Sequence, residues 1–85
     1  MAIQDDFASA AARVKELPER PSNEALLELY GLFKQATEGD VSGEGPGLFD
    51  FKGQAKHQAW SERRGMSTED AMRAYVELVD RLAGV

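Results

Sequence analysis

Tyr30-Gly31-Leu32-Phe33-Lys34-Gln35-Ala36-Thr37-Glu38-Gly39-Asp40 is the stretch in which a helical pattern gives way to a long irregular segment. Approaching it, Asn23 to about Thr37 carries Leu26, Leu29, Tyr30, Phe33 and Ala36 at three- and four-residue steps on one broad apolar face. Glu24 sits near the start and Lys34 near the end, where the helix dipole favours each charge. Beyond it, from Glu38 to Asp50, the periodicity vanishes. Gly39, Gly43, Gly45, Pro46 and Gly47 make a loop that is long for a chain of 85 residues. Loops of such length tend to carry function.

Working outward, the segment from about Asp5 to Leu17 places Phe7, Ala11 and Val14 at helical spacing, with Asp5 and Asp6 in its first turn. Pro18-Glu19-Arg20-Pro21 cannot continue a helix, because proline lacks an amide hydrogen and restricts its predecessor, and Ser22 is placed to cap the next one. After the long loop, about Phe51 to Arg63 puts Lys52, Lys56 and Trp60 on one side of a third helix and Ala55 and Ala59 on an adjoining side, with Gly65 as its terminator. Ser67-Thr68-Glu69-Asp70 resembles a capping box for a fourth helix, with Asp70 placed to reach back towards Ser67. Its apolar positions are Ala71, Met72, Tyr75, Val79 and Leu82.

Eighty-five residues suit one domain, residues 1–85, with one modest core. With no cysteine, neither disulfides nor a thiolate metal cluster can support that core, so packed helices must. No stretch approaches the roughly 18 apolar residues of a membrane span, and Met1 to Asp6 lacks the layout of a signal peptide, so the expected compartment is the cytoplasm. Ten Lys and Arg against fifteen Asp and Glu give a formal charge of -5, which opposes nonspecific attraction to nucleic acid or an anionic membrane. An anionic ligand therefore needs a local basic patch. Neither nucleic acid nor stable membrane insertion is expected, and the chain is expected to be a monomer.

The inventory for catalysis is poor: one histidine, His57, no cysteine and no Gly-rich phosphate loop. A single histidine on a charged helix reads first as a solvated surface residue. The carboxylates of Glu38 to Asp50 lack the spacing of a calcium loop, so no metal site is expected. The positive signal is Tyr30 with Lys34, and Lys52 with Lys56, each pair four apart on one helix face. Spacing alone favours the plainer reading, a core tyrosine fringed by solvated lysines, because lysine is seldom buried.

Longer strings tip the balance. Tyr30 to Asp40, then Pro46-Gly47, Asp50-Phe51-Lys52, Ala55-Lys56, Ala59-Trp60 and Glu69-Asp70-Ala71-Met72 together resemble the acyl-CoA-binding protein family, without gaps from about Phe7 to Leu82. The Lys-Gln-Ala-Thr-x-Gly-Asp run is the specific part. The resemblance implies an all-α fold, a four-helix up-down-down-up bundle in which Glu38 to Asp50 is an overhand loop between helices two and three. It implies non-catalytic binding of medium- to long-chain fatty acyl-CoA, with no further cofactor, by an intracellular carrier and pool former. Tyr30, Lys34, Lys56 and Tyr75 match the family positions that hold the CoA head group, chiefly adenine and its 3'-phosphate. Lys15 and Lys52 would support them, and Leu26 and Leu27 would face the acyl chain.

Two residues depart from the family pattern. Phe33 stands where tyrosine is common, so one hydroxyl contact to the head group is lost, and His57 stands where tryptophan is common, which removes an apolar surface beside the expected site. The competing expectation is a helical protein-interaction module of lipid metabolism with a retained or weakened ligand site.

Overall fold

The computed structural model describes residues 2–43 and 45–84. Among these lie four α-helices, α1 (Ile3–Arg13), α2 (Asn23–Glu38), α3 (Phe51–Ser61) and α4 (Thr68–Ala83), one 3₁₀ turn (Val14–Glu16) and no strand. The first helix is shorter than its apolar spacing suggests. Its last turn tightens into the 3₁₀ form, and Leu17, which precedes Pro18, is extended at φ -61°, ψ 140°, as a pre-proline residue must be. The third likewise ends at Ser61, short of the expected Arg63, and a run of turns reaches Gly65 at φ 91°.

Three helices begin on side-chain caps. Ser22 accepts from the amide of Ala25, Asp50 from Gly53 and Ser67 from Asp70. The expected reach of Asp70 back to Ser67 is not formed among the described residues. That carboxylate instead accepts from Arg73, 2.8 Å away, which an aspartate's short arm meets more readily than its own cap.

Cross-helix contacts fix the directions. Phe7 meets Tyr75 and Arg13 pairs with Asp80, so α1 and α4 run parallel. Phe33 meets Tyr75 while Gln35, further along α2, bonds to Met66 ahead of α4, so those two run antiparallel. Leu27 and Ala55 line the same cavities and Lys34 lies over Trp60, so α2 and α3 are parallel. The order is up-down-down-up, and the long loop returns the chain the length of α2 as an overhand connection.

The core gathers between α1, α2 and α4, where Phe7, Ala10, Leu29, Leu32, Ala36, Ala71, Tyr75, Leu78 and Val79 are buried together. Here the apolar reading of α2 needs correction. The buried stripe runs through Leu29, Leu32, Gln35 and Ala36, whereas Phe33 is 39% exposed. Phe33 lies at the edge of that stripe, about 100° around the helix from Leu32, with its ring against Phe7 and Tyr75 and its outer side open to solvent. The buried polar member, Gln35, donates to Asp40 Oδ1 at 2.8 Å and to the Met66 carbonyl at 2.7 Å. Asp40 also accepts from the Gly65 amide at 2.8 Å, so one carboxylate ties the loop's beginning to the turn before α4.

Candidate functional site

Helices α2 and α3 meet at their backbones. A Cβ on Gly31 would collide with the carbonyl oxygen of Ala59, so the glycine permits an approach that no other residue allows. Helices that touch along one short line leave space on either side of it. Two cavities result, sharing Leu27 and Ala55 as a common wall.

Their chemistry is opposite. The first, about 410 Å³, is lined by Leu26, Leu27, Tyr30 and Ala55 with Arg20, Asn23, Lys52 and Lys56, three cations and no carboxylate. The second, about 380 Å³, carries Glu24, Glu28 and Glu62 against the single cation Arg63. Both volumes fall in the ~300–1,000 Å³ range of small-molecule sites. Only the first suits an anion with an apolar tail, because its cations lie beside leucine and alanine instead of facing carboxylates.

Lys56 Nζ stands 5.4 Å from the centre of the Tyr30 ring, a cation–π distance that holds the ammonium at the rim of the first cavity. The structure thus brings together Leu26, Leu27, Tyr30, Lys52 and Lys56 around one space. Lys34 lies one turn beyond Tyr30 and does not line that space. Its ammonium pairs with Glu38 and sits 4.9 Å from the centre of the Trp60 ring. The hydrogen bond to Glu38 holds Lys34 above its ordinary pKa of 10.5, against partial desolvation that works the other way.

Phe33 and Tyr75 form an aromatic cluster with Phe7, at centroid distances of 5.5 Å for Phe7–Phe33, 5.0 Å for Phe7–Tyr75 and 6.0 Å for Phe33–Tyr75. Tyr75 is only 4% exposed, and burial raises its phenol above the ordinary value of 10.0, which keeps the hydroxyl protonated as a donor. Lys15 projects from the 3₁₀ turn as an exposed residue and lines neither cavity.

His57 is not the solvated surface residue that its sequence setting suggests. Its ring lies beneath the overhand loop, within ordinary contact of where a Cβ on Gly45 would stand, and its Nε2 is buried without a partner among the described residues. It lines neither cavity. Trp60 serves the same junction by donating from Nε1 to the Gly39 carbonyl at 2.8 Å.

Arg20, Asn23 and Glu38 escaped the sequence reading. Arg20 lies between two prolines with no periodic pattern to mark it, and only the return of the chain brings it to the cavity. Glu38 had a legible signal, four residues after Lys34 on one helix face. Among the described residues no cluster of three or more His, Cys, Asp or Glu could hold a metal ion, and no helix is long and apolar enough to cross a membrane.

Comparison with known proteins places the chain in a family. Residues 4–79 match the family model described as "Acyl CoA binding protein". The chain is 54% identical to "Acyl-CoA-binding protein homolog 1" of Caenorhabditis elegans, over 89% of this chain and 88% of that one. It is 48% identical to "Acyl-CoA-binding protein homolog" of Manduca sexta, over 96% and 92%. The crystal structure of Oryza sativa Acyl-CoA-Binding Protein 2 superposes with a TM-score of 0.93 at 42% identity, covering 98% of this chain and 92% of that one.

Proposed function

The chain belongs to the acyl-CoA-binding protein family, and from that premise we propose that residues 1–85 act as one domain that binds medium- to long-chain fatty acyl-CoA without altering it. The observation that carries this reading is the cavity of about 410 Å³ in which three cations adjoin Leu26, Leu27 and Ala55. An acyl-CoA is likewise split into a polyanionic nucleotide and an apolar tail. Lysine and arginine suit its phosphates, the Tyr30 ring offers a face for adenine, and the leucines offer a wall for the first part of the tail.

In this reading Lys52 and Lys56 hold the head group from α3. Lys34 leaves Glu38 to join them, and Tyr75 presents its protonated hydroxyl from the core. Lys15 supports the head group from beyond the cavity, and Phe33 contributes an edge without a hydroxyl. The protein would serve as a cytoplasmic carrier that maintains a dispersed pool of acyl-CoA, acting as a monomer.

Calorimetry with acyl-CoAs of increasing length tests the proposal below the micelle threshold. Each added methylene that finds cover should contribute up to about 0.8 kcal/mol, until the groove is filled. Affinity should therefore rise from octanoyl- to palmitoyl-CoA and then flatten, with free CoA and free palmitate both much weaker. Lys56→Ala should weaken palmitoyl-CoA binding by about 1.5–3 kcal/mol, the range for a hydrogen bond to a charged group. Equal binding of octanoyl- and palmitoyl-CoA would reduce the function to nucleotide binding. A protein-interaction module would show no saturable acyl-CoA site at all.

A further inference from the structure

We propose that Leu48, Phe49 and Phe51, in the turn that leads into α3, form a tip that touches the surface of a lipid bilayer and seats the α2–α3 groove there. The purpose given to the tip rests on the acyl-CoA reading above, but the lipid contact itself stands on the turn. Among the described residues four large hydrophobic side chains are exposed, and three of them fall within four positions: Leu48 at 75%, Phe49 at 84% and Phe51 at 72%. Single exposed apolar residues are ordinary, whereas a cluster of them marks a contact surface.

The backbone of this turn is closed by its own bonds. The Asp50 amide donates to the Gly47 carbonyl at 3.0 Å, and the Gln54 side chain donates to the carbonyls of Gly47 at 3.0 Å and Leu48 at 2.9 Å. Water would satisfy those carbonyls without help. Entry into the acyl boundary removes that water, so a turn with carbonyls already bonded can enter at a smaller penalty.

The local charges fit as well. Asp50, the carboxylate inside the cluster, accepts from the Gly53 amide at 2.9 Å, so it is held as the α3 cap at the positive end of the helix. Lys52 follows directly and can lay its stem along the apolar tip with its ammonium at headgroup level. It also lines the basic cavity, so the tip and the cavity share the first turn of α3. A fluid surface needs no shaped complement to such a tip. Because the net charge of -5 opposes attraction to an anionic surface, the apolar tip must carry the contact, and zwitterionic lipid should serve at least as well as anionic.

The test is flotation of the ligand-free protein with vesicles of pure phosphatidylcholine, beside calorimetry with palmitoyl-CoA. The wild type should float with the vesicles. The double variant Leu48→Ser/Phe49→Ser should lose at least about fivefold in vesicle partitioning, while its palmitoyl-CoA affinity in solution changes by less than about twofold. In a separate variant, Phe49→Trp, brominated lipid should quench the added indole. Failure of the wild type to float, equal flotation of wild type and double variant, or an unquenched indole would overturn the proposal. So would wild-type sedimentation as a dimer that the serines abolish, because a second copy would then cover the turn. Calorimetry without a saturable site would reject the acyl-CoA reading and leave the flotation result to judge the tip alone.

Discussion

Helix α2 packs against α4 and α3 by two different means. Towards α4 it presents Leu29, Leu32 and Ala36, which interlock with Ala71, Tyr75, Leu78 and Val79 and are shut from solvent. Towards α3 it presents Gly31, which meets the Ala59 backbone and leaves a cavity on each side. Interlocked side chains fill space and stabilise. A backbone contact brings two helices near while keeping space open, so the same helix holds the fold with one face and builds the proposed ligand groove with the other.

The largest effect should come from the interlocked face. Leu32 is fully buried, so Leu32→Ala removes its transfer energy and leaves a cavity, a loss of about 2–5 kcal/mol. In a domain of this size that is a fall of at least about 10 °C in melting temperature. Palmitoyl-CoA affinity, measured well below the melt, should move little. A comparable loss of affinity would show that the two faces of α2 are coupled.

Gly31→Ala is the counterpart on the open face. Alanine favours a helix by about 1 kcal/mol over glycine, whereas forcing a Cβ against the Ala59 carbonyl costs about 1–3 kcal/mol and should win, because the obstacle is backbone. The expected net effect is a loss of up to about 2 kcal/mol. Unlike Leu32→Ala, it should also weaken palmitoyl-CoA binding, since α3 must move away from α2. Denaturant unfolding and calorimetry on one preparation check both parts, and a stabilised variant with normal affinity would remove the close approach from the account.

The same contrast explains what the sequence made legible. Periodicity located all four helices, because apolar residues at three- and four-residue steps are the direct trace of a buried face, and Ser22 and Ser67 marked two of the starts. It missed the centre of the α2 stripe for a related reason: the spacing of Leu29, Phe33 and Ala36 suits one face, but Phe33 is its edge, while Leu32 and Gln35 are its centre and include a polar residue. The direction of α3 came from the family resemblance, since periodicity is silent on connection order. Leu26, Leu27, Tyr30, Lys52 and Lys56 lie on regular helices, so helical geometry carries them to one cavity. Arg20 and the loop that covers His57 depend on irregular backbone, where no period exists to be read.

A smaller effect, limited to acid, should come from the loop anchor. The Gly65 amide, and after it the Gln35 side chain, hold Asp40 below its ordinary value of 3.8. Its contribution is therefore complete above 3.8 and is lost as pH falls through the lower folded value. Asp40→Asn keeps an acceptor but no charge. The difference in melting temperature between wild type and variant should be constant near neutrality and narrow below pH 3.8. A difference that persists unchanged into strong acid would mean that shape, and not charge, anchors the loop.

The smallest effect is the one that bears most on the ligand. Lys34, expected to serve the head group, is held by Glu38 and lies over Trp60, so a phosphate must compete with a carboxylate for it. Because that hydrogen bond raises Lys34 above 10.5, the pair contributes fully at neutral pH and on the alkaline side is lost as pH rises through the higher folded value. Exposed pairs of this spacing are worth about 0.3–0.5 kcal/mol. Glu38→Gln should therefore lower stability by no more than that and tighten palmitoyl-CoA binding by roughly twofold, with the gain shrinking as salt rises. The variant also removes a negative charge near an anionic ligand, which would itself favour binding. Repeating Glu38→Gln in a Lys34→Ala background separates the two causes: release of the lysine predicts that the gain nearly vanishes there. If it persists undiminished, Glu38 acts by general repulsion, and Lys34 is not the group for which carboxylate and ligand compete.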